Sequence, residues 1–280
     1  MVSSAPDTHY NDVHPMIKVD HLVRSFGDFQ AVKDISFDVQ PGEVFAFLGP
    51  NGAGKTTTIK MLTTLLAPTS GTIRVDGLDP AKHQHQVRKL FGIVFQDPSL
   101  DSELTAYENL ELHAVLYGVP RKVRSERIER LMKLFELWDR RAQQTKLYSG
   151  GMKRRLEIAR GFLHTPKILF LDEPTLGLDP QSRNQLWTHV RQLNADEGVT
   201  VFLTTHYMDE AEKTAQRVAI IDHGRIVAQG STEELKAQTV ADSLEGAFLK
   251  LTGTTIRDEA ANSADAMRQM ARMWSRGQRR

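Results

Sequence analysis

The stretch VFAFLGPNGAGKTT, residues 44–57, sets an almost wholly apolar run against a loop of three glycines, a lysine and two threonines. An apolar run without alternation marks a strand buried on both faces. Gly49, four residues, then Gly54-Lys55-Thr56 is the phosphate-loop spacing, in the required context of a strand before and a helix after. Gly49, Gly52 and Gly54, with Pro50, Asn51 and Ala53 between them, let main-chain N–H groups wrap a phosphate with no Cβ in the way. Lys55 offsets the charge of the outer phosphates, Thr56 can offer its hydroxyl to Mg2+, and Thr57 completes the loop. The pattern names a nucleoside triphosphatase and no particular task.

Working outward, the chain from Ile17 to Leu48 is short and β-like: IKVDHLV, a Gly27-Asp28 turn, AVKDISFDV, a Pro41-Gly42 turn, then EVFAFL. After the loop a helix is expected through Ile59, Leu62 and Leu66, at spacings of three and four. The short strand TIRV and the strand FGIVF (91–95) follow, and helical texture then runs to about residue 160. Thr105 with Glu108 reads as a capping box; Leu110, Ala114 and Tyr117 share one face, and Ile128, Leu131, Phe135 and Trp138 another. These stripes read as packed helices. KILFLD (167–172) and VTVFLTT (199–205) are strands, separated by a helix carrying Leu186, Val190 and Leu193. RVAIID and RIVAQG form a hairpin across His223-Gly224, and Ser231 with Glu234 caps a further helix. Strands alternating with helices imply an α/β fold with a largely parallel sheet and the 97–160 helices as an inserted subdomain.

Two further features carry chemistry. In LFLDEP, Asp172 at a strand end suits a Mg2+ role, and Glu173 beside it can orient or deprotonate an attacking water. In LYSGGMKRRLEIAR, residues 147–160, a serine and two glycines open a basic amphipathic helix, the build of a second anion-binding helix start. Charges nearly balance, 36 basic against 35 acidic, so no overall field recruits nucleic acid or an anionic membrane. With no cysteine the chain has no disulfide, thiolate nucleophile or thiolate metal site. Residues 1–15 lack the blocks of a signal peptide and read as a loose polar arm. The apolar runs fall short of the roughly 20 residues that span a bilayer. His83 and His85, two apart without companion ligands, read as surface residues.

GPNGAGKTT, Gln96 in IVFQDP, YSGGM, LFLDEP, GLDP and LTTH occur in the order that marks the ATP-binding subunit of an ABC (ATP-binding cassette) transporter, which residues 16–235 resemble. The resemblance implies a P-loop NTPase cassette with a mostly parallel core sheet, an N-terminal antiparallel β-subdomain and the inserted helical subdomain. It implies ATP and Mg2+ as ligands. Phe26 would stack on adenine, where the family more often has tyrosine; a ring face is all that stacking needs, at roughly 1–3 kcal/mol. Gln96 would touch Mg2+ and the water, Asp179 would act across a subunit boundary, and His206 would hold the γ-phosphate and Glu173. Ser149, Gly150 and Gly151 would close over the ATP of a second, head-to-tail subunit, identical or sister, so that ATP glues the dimer and hydrolysis loosens it. A separate membrane permease would receive the motion at about Asp97 to Tyr107, placing the chain at the cytoplasmic face of the membrane.

Tyr148 and Met152 depart from the commoner leucine and glutamine. With KRRLEIAR, FQDPSLDSELTAYENL and AFLKLTG they look most like exporters of drugs, lipids or polysaccharides, including daunorubicin-resistance-type pumps. Neither nucleic acid nor a secreted binding protein is expected as partner. An importer ATPase is the alternative, though many importers carry a regulatory domain after the cassette where 236–280 is a short extension. Soluble ABC ATPases of DNA repair would need a coiled-coil insert, and translation-factor types a second cassette. The tail beyond Gly253, with Met267, Met270 and Trp274 on one stripe and Arg268, Arg272 and Arg276 on another, either lies on a membrane or permease or is a solvated terminus. The short stripe favours the latter.

Overall fold

Turn chemistry and alternation set the first strands. β1 (Ile17–Phe26) and β2 (Phe29–Val39) pair antiparallel across Gly27-Asp28, where Gly27 takes φ 58°, and β3 (Val44–Leu48) is buried along its whole length. The computed structural model describes residues 14–97 and 99–253; most of the N-terminal arm and the tail with its two stripes lie outside the described residues. α1 (Lys55–Leu62) follows the glycine loop, then β4 (Ser70–Val75), α2 (Gln84–Leu90) and β5 (Phe91–Val94). The insert supplies α3 (Ala106–Leu116), α4 (Arg121–Leu134) and α5 (Gly150–Gly161). β6 (Ile168–Asp172), α6 (Pro180–Glu197), β7 (Thr200–Thr205), α7 (Met208–Thr214), β8 (Arg217–Asp222), β9 (Arg225–Gly230), α8 (Thr232–Thr239) and α9 (Leu244–Thr252) complete the order.

Two sheets result: a small antiparallel one in the order β2-β1-β4, and a larger one in the order β5-β6-β7-β3-β8-β9. The larger is parallel from β5 to β8, and β9 returns antiparallel on β8 as a hairpin. Both expected capping boxes are present, Thr105 with Glu108 and Ser231 with Glu234.

Because the large sheet is covered on both faces, alternate residues of one strand enter different cores. Phe45, Phe47, Phe170 and Phe202 join Phe37 and the aliphatic residues of the small sheet. Ala46, Leu48, Leu169, Leu171, Val201 and Leu203 pack with the helices of the insert and with α6. Phe202 sits centrally, its ring 5.6–6.0 Å from those of Phe37, Phe45, Phe47 and Phe170. Each such side chain contributes about 1.5–3 kcal/mol on burial, so strands β3, β6 and β7 form the most firmly held part of the molecule.

Two helices end early: α4 stops at Leu134, with Glu136 at φ 56° and Trp138 of the expected stripe in a separate 3-10 turn, and α1 also falls short. The spacing through Leu66 predicts one more turn of α1, but the helix stops at Leu62 and Thr64 adopts φ 63°. Leu65 and Leu66 N–H both return to the Lys60 carbonyl, a C-terminal cap that turns the chain toward Pro68. Leu66 still reaches the aromatic core from this turn. At Gly92 on β5 a Cβ would stand 2.1 Å from the Gly161 carbonyl oxygen, so glycine is what allows the end of α5 to lie on that strand.

The insert is joined to β5 partly through imidazoles. His113 stacks on Tyr117 at 4.5 Å and Tyr117 on His164 at 4.2 Å, while His164 Nε2–H donates to the Phe91 carbonyl at 3.0 Å. Burial lowers both histidines from 6.5 to about 4, with Arg160 adding to the effect at His113 and Arg127 at His164. Between those values the unfolded chain binds protons that the folded chain refuses, so folding stability falls as pH drops from 6.5 toward about 4. Urea midpoints taken at pH about 7.5 and about 5 should therefore separate, and the separation should narrow in the His113→Gln/His164→Gln double variant.

Candidate active site

The parallel register brings three strand ends together: Leu48 of β3 lies beside Thr205 of β7, and Thr204 beside Asp172 of β6. In such sheets the carboxyl ends of the strands are where ligands bind. The glycine loop leaves β3 at this edge. Gly54 takes φ 111° at the start of α1, no side chain caps that helix, and a Cβ at Gly49 would stand 2.2 Å from the Ile221 carbonyl oxygen. Ala53 is buried, with its carbonyl accepting from Gly224 N–H, whereas Asn51 and Gly52 are exposed at the tip. The loop is thus shaped by main chain and held from behind.

Lys55 is buried. Its Nζ donates to the carbonyls of Gly49 at 2.6 Å and Pro50 at 3.1 Å and faces Glu173 Oε1 at 3.1 Å. His206 Nδ1–H donates to the other carboxylate oxygen of Glu173 at 2.8 Å. Burial alone would raise the Glu173 carboxyl; the His206 hydrogen bond and the Lys55 charge outweigh it and hold the group below the usual carboxylate range. Glu173 also adopts φ 50°, a left-handed conformation costing a non-glycine residue of order 1–3 kcal/mol. Its N–H donates to the Thr204 carbonyl and hydroxyl, each at 3.1 Å, which fixes the turn.

Asp172 is as deeply buried. Oδ1 accepts from Thr204 Oγ1 at 2.6 Å and from Thr56 Oγ1 at 3.3 Å. Burial raises this carboxyl, the two hydroxyls working against it. A carboxylate and a threonine hydroxyl at one spot are the hard oxygen donors that Mg2+ prefers.

Of the other expected site residues, Phe26 ends β1 47% exposed, with the Arg24 guanidinium 4.5 Å over its ring. The Gln96 side chain is exposed and makes no hydrogen bond to Thr56, Asp172 or Glu173. Its segment is gripped through the backbone by one face of α5. Arg154 donates to the carbonyls of Phe95 and Gln96, Glu157 accepts from Ser99 N–H at 2.7 Å, and Arg160 donates to the Ser99 carbonyl at 2.6 Å. Arg154 and Glu157 form a buried pair at 3.1 Å. Ser149 is the N-cap of α5, its Oγ accepting from Met152 N–H at 3.2 Å. Gly151 abuts α6 so closely that a Cβ would stand 2.7 Å from Ser182 Oγ. Asp179 caps α6, accepting from Ser182 N–H at 2.9 Å and Ser182 Oγ at 2.7 Å, and these bonds lower its carboxyl. Thr57 is half-buried in the first turn of α1, and Gly150 is exposed beside Ser149. His83 and His85 are both exposed.

With the geometry in place, comparison with known proteins decides the family. Residues 32–176 match the family model described as ABC transporter. The chain belongs to that family. It is 46% identical over 244 residues to the daunorubicin/doxorubicin resistance ATP-binding protein DrrA of Streptomyces peucetius, covering 87% of this chain and 73% of the relative. It is 39% identical over 229 residues to the linearmycin resistance ATP-binding protein LnrL of Bacillus subtilis (strain 168), covering 82% and 73%. Among solved structures, an ATP-binding subunit of an ABC transporter superposes with a TM-score of 0.77 at 32% identity, covering 84% of this chain and 99% of the other. A dimeric ATP-binding cassette bound to ADP and inorganic phosphate superposes with a TM-score of 0.69 at 26% identity, over 77% and 98%. The ABC cassette fold, with one antiparallel and one mostly parallel sheet, is as the motifs imply, and the enzyme is an ABC-type ATPase.

Motif reading misses Thr204, Arg154 and Glu157, since threonine in a strand and charge on a helix are unremarkable until their partners are known. Thr204→Val keeps the side chain's shape while removing the shorter bond to Asp172 and the hydroxyl acceptor of Glu173 N–H. Urea denaturation should show a loss of about 1.5–3 kcal/mol, the worth of a hydrogen bond to a buried charge.

Proposed function

We propose that this ABC ATPase pairs with a second ATP-binding subunit around two ATP molecules and drives a separate permease that exports a drug, lipid or polysaccharide. The observation that carries the chemical part is the convergence of Lys55 and His206 on the two oxygens of Glu173, 3.1 and 2.8 Å away, beside Asp172 and Thr56. On this reading Gly49 to Thr57 bind the phosphates through main-chain N–H groups, and Phe26 stacks on adenine with Arg24 backing its ring. Thr56 and Asp172 would hold Mg2+, which when bound offsets phosphate charge, with Gln96 joining them from the segment after β5. The boundaries 16–235 for the cassette and 236–280 for the extension belong to the same proposal.

Glu173 then has two states. With Lys55 at Oε1 its carboxylate is neutralised and a poor base. A triphosphate competes for the same ammonium, and drawing Lys55 toward phosphate removes the cation that lowers the carboxyl. His206 stays on Oε2 and keeps the carboxylate oriented, so the base is exposed only where a substrate lies in the loop.

Ser149, Gly150 and Gly151 belong in this reading to the partner's nucleotide. They start a helix whose positive end can meet a γ-phosphate, and Asp179 stands beside them through Ser182 and Gly151. Exporter function is supported by the likeness to drug-resistance ATP-binding proteins at 46% and 39% identity. No described helix is long and apolar enough to cross a membrane; on this reading force passes to the permease at the cytoplasmic membrane face, through Asp97 to Tyr107. No nucleic acid or secreted binding protein enters the scheme.

Glu173→Gln should retain ATP binding, lower turnover at least about a hundredfold, the lower range for a lost general base, and accumulate ATP-dependent dimers in sedimentation. Undiminished hydrolysis, or monomers alone at saturating ATP, would overturn the assignment.

A further inference from the structure

Glu210, four residues beyond His206 on α7, is 3% exposed, and no step above uses it. Its carboxylate is reached from three segments. Oε2 accepts from Thr175 Oγ1 at 2.8 Å and from Thr205 Oγ1 at 3.4 Å, and Oε1 faces Arg183 Nε at 3.2 Å. Thr175 lies two residues past Glu173, Thr205 immediately precedes His206, and Arg183 is four residues past Asp179.

The circuit continues on the other side. Thr205 Oγ1 accepts from Tyr207 N–H at 2.9 Å, the Arg183 guanidinium lies 4.4 Å over the Tyr207 ring, and that ring lies 4.0 Å from the His206 imidazole. His206 closes the loop by its bond to Glu173. Glu210 holds Thr175, Thr205 and Arg183 directly, and the last two hold Tyr207; the Tyr207–His206 and His206–Glu173 contacts lie one and two joints further on.

An apolar side chain would fit the buried face of α7, where Met208 and Ala211 already join the core. A carboxylate there costs several kcal/mol of desolvation, offset only by well-placed partners. What it adds over an apolar residue is direction and charge: two hydroxyls are oriented onto Oε2, and Oε1 draws the Arg183 guanidinium to 3.2 Å as an ion pair without hydrogen-bond alignment. We propose that Glu210 is the positioning residue that fixes the His206 ring against Glu173, by holding Thr175, Thr205 and the Arg183–Tyr207 stack in one arrangement. Through Arg183 it also ties the His206 turn to α6, which Asp179 caps, so that the two loops move as a unit.

This inference rests on the role proposed for His206, and the test separates the two. Glu210→Gln keeps the shape and can still accept from Thr175, but loses the charge that holds Arg183. Turnover should fall about tenfold with the ATP dissociation constant within about twofold, the pattern of a group that matters to the reaction step and not to binding. The His206 ring proton signal in NMR, assigned by its loss in His206→Gln, should shift, because a loosened Tyr207 changes the ring current it feels. Arg183→Met, a partly exposed position, should reproduce both effects and serves if the first variant does not fold. An unmoved His206 signal, or turnover within about twofold of the parent, overturns the proposal. Glu173→Gln and His206→Gln chains that hydrolyse at the parent rate would instead overturn the reading of the site.

Discussion

The structure depends on keeping one carboxylate ionised inside the protein. Glu173 leaves the end of β6 buried and in a left-handed conformation, and an unpaired charge there would cost several kcal/mol. Lys55 and His206 meet that cost together, one from the glycine loop and the other from the turn after β7. Two loops far apart in sequence are thereby fixed to one atom group. The parallel register of β3, β6 and β7 sets where the loops emerge, and the phenylalanine layer around Phe202 beneath them keeps those strand ends from sliding. A cavity under Phe202 would therefore reach the site through strand position without touching a polar residue.

The insert is attached by a different rule. Arg154, Glu157 and Arg160 follow one another at three-residue spacing, hence on one face of α5, and each contacts main chain or Ser99 of the segment after β5. Bonds to backbone fix where a segment runs without specifying its side chains. Gln96, two residues past β5, is thus held by α5, the helix that Ser149 opens, as well as through the pairing of β5 with β6, the strand that ends in Asp172. The Gln96 side chain is exposed and makes no hydrogen bond to the acidic pair, while Thr56 already touches Asp172.

What could be read from the chain was whatever depends on neighbours in sequence. The glycine loop, the Asp172-Glu173 pair, both capping boxes and the hairpin at His223-Gly224 are local signals, and each appears where its residues stand. The end of α1 was misread because the apolar spacing through Leu66 continues past the helix: a capping turn carries Leu66 to the same core, so burial survives while the helix does not. Thr204, Arg154 and Glu210 were invisible for the opposite reason. Their partners lie on other elements, and only the assembled sheet makes a strand threonine the hydrogen-bond donor to a buried aspartate.

The pairing of α5 with α6 bears on why one chain carries two anion-binding helix starts. Gly151 and Ser182 are in contact, so two helix N-termini, each with positive partial charge, lie side by side. Like poles repel, and Asp179 answers part of that by turning its carboxylate back onto the first turn of α6. Ser149 answers less: its hydroxyl caps Met152 N–H but brings no charge. The start of α5 is left the more electropositive of the two, while the chain's own Lys55 is already engaged by Gly49, Pro50 and Glu173. An anion presented from outside, such as the terminal phosphate on a second subunit, would relieve the repulsion at α5 while leaving the Asp179 cap intact. Association would then strengthen with the charge of the bound phosphate, and cleavage of that phosphate would loosen it.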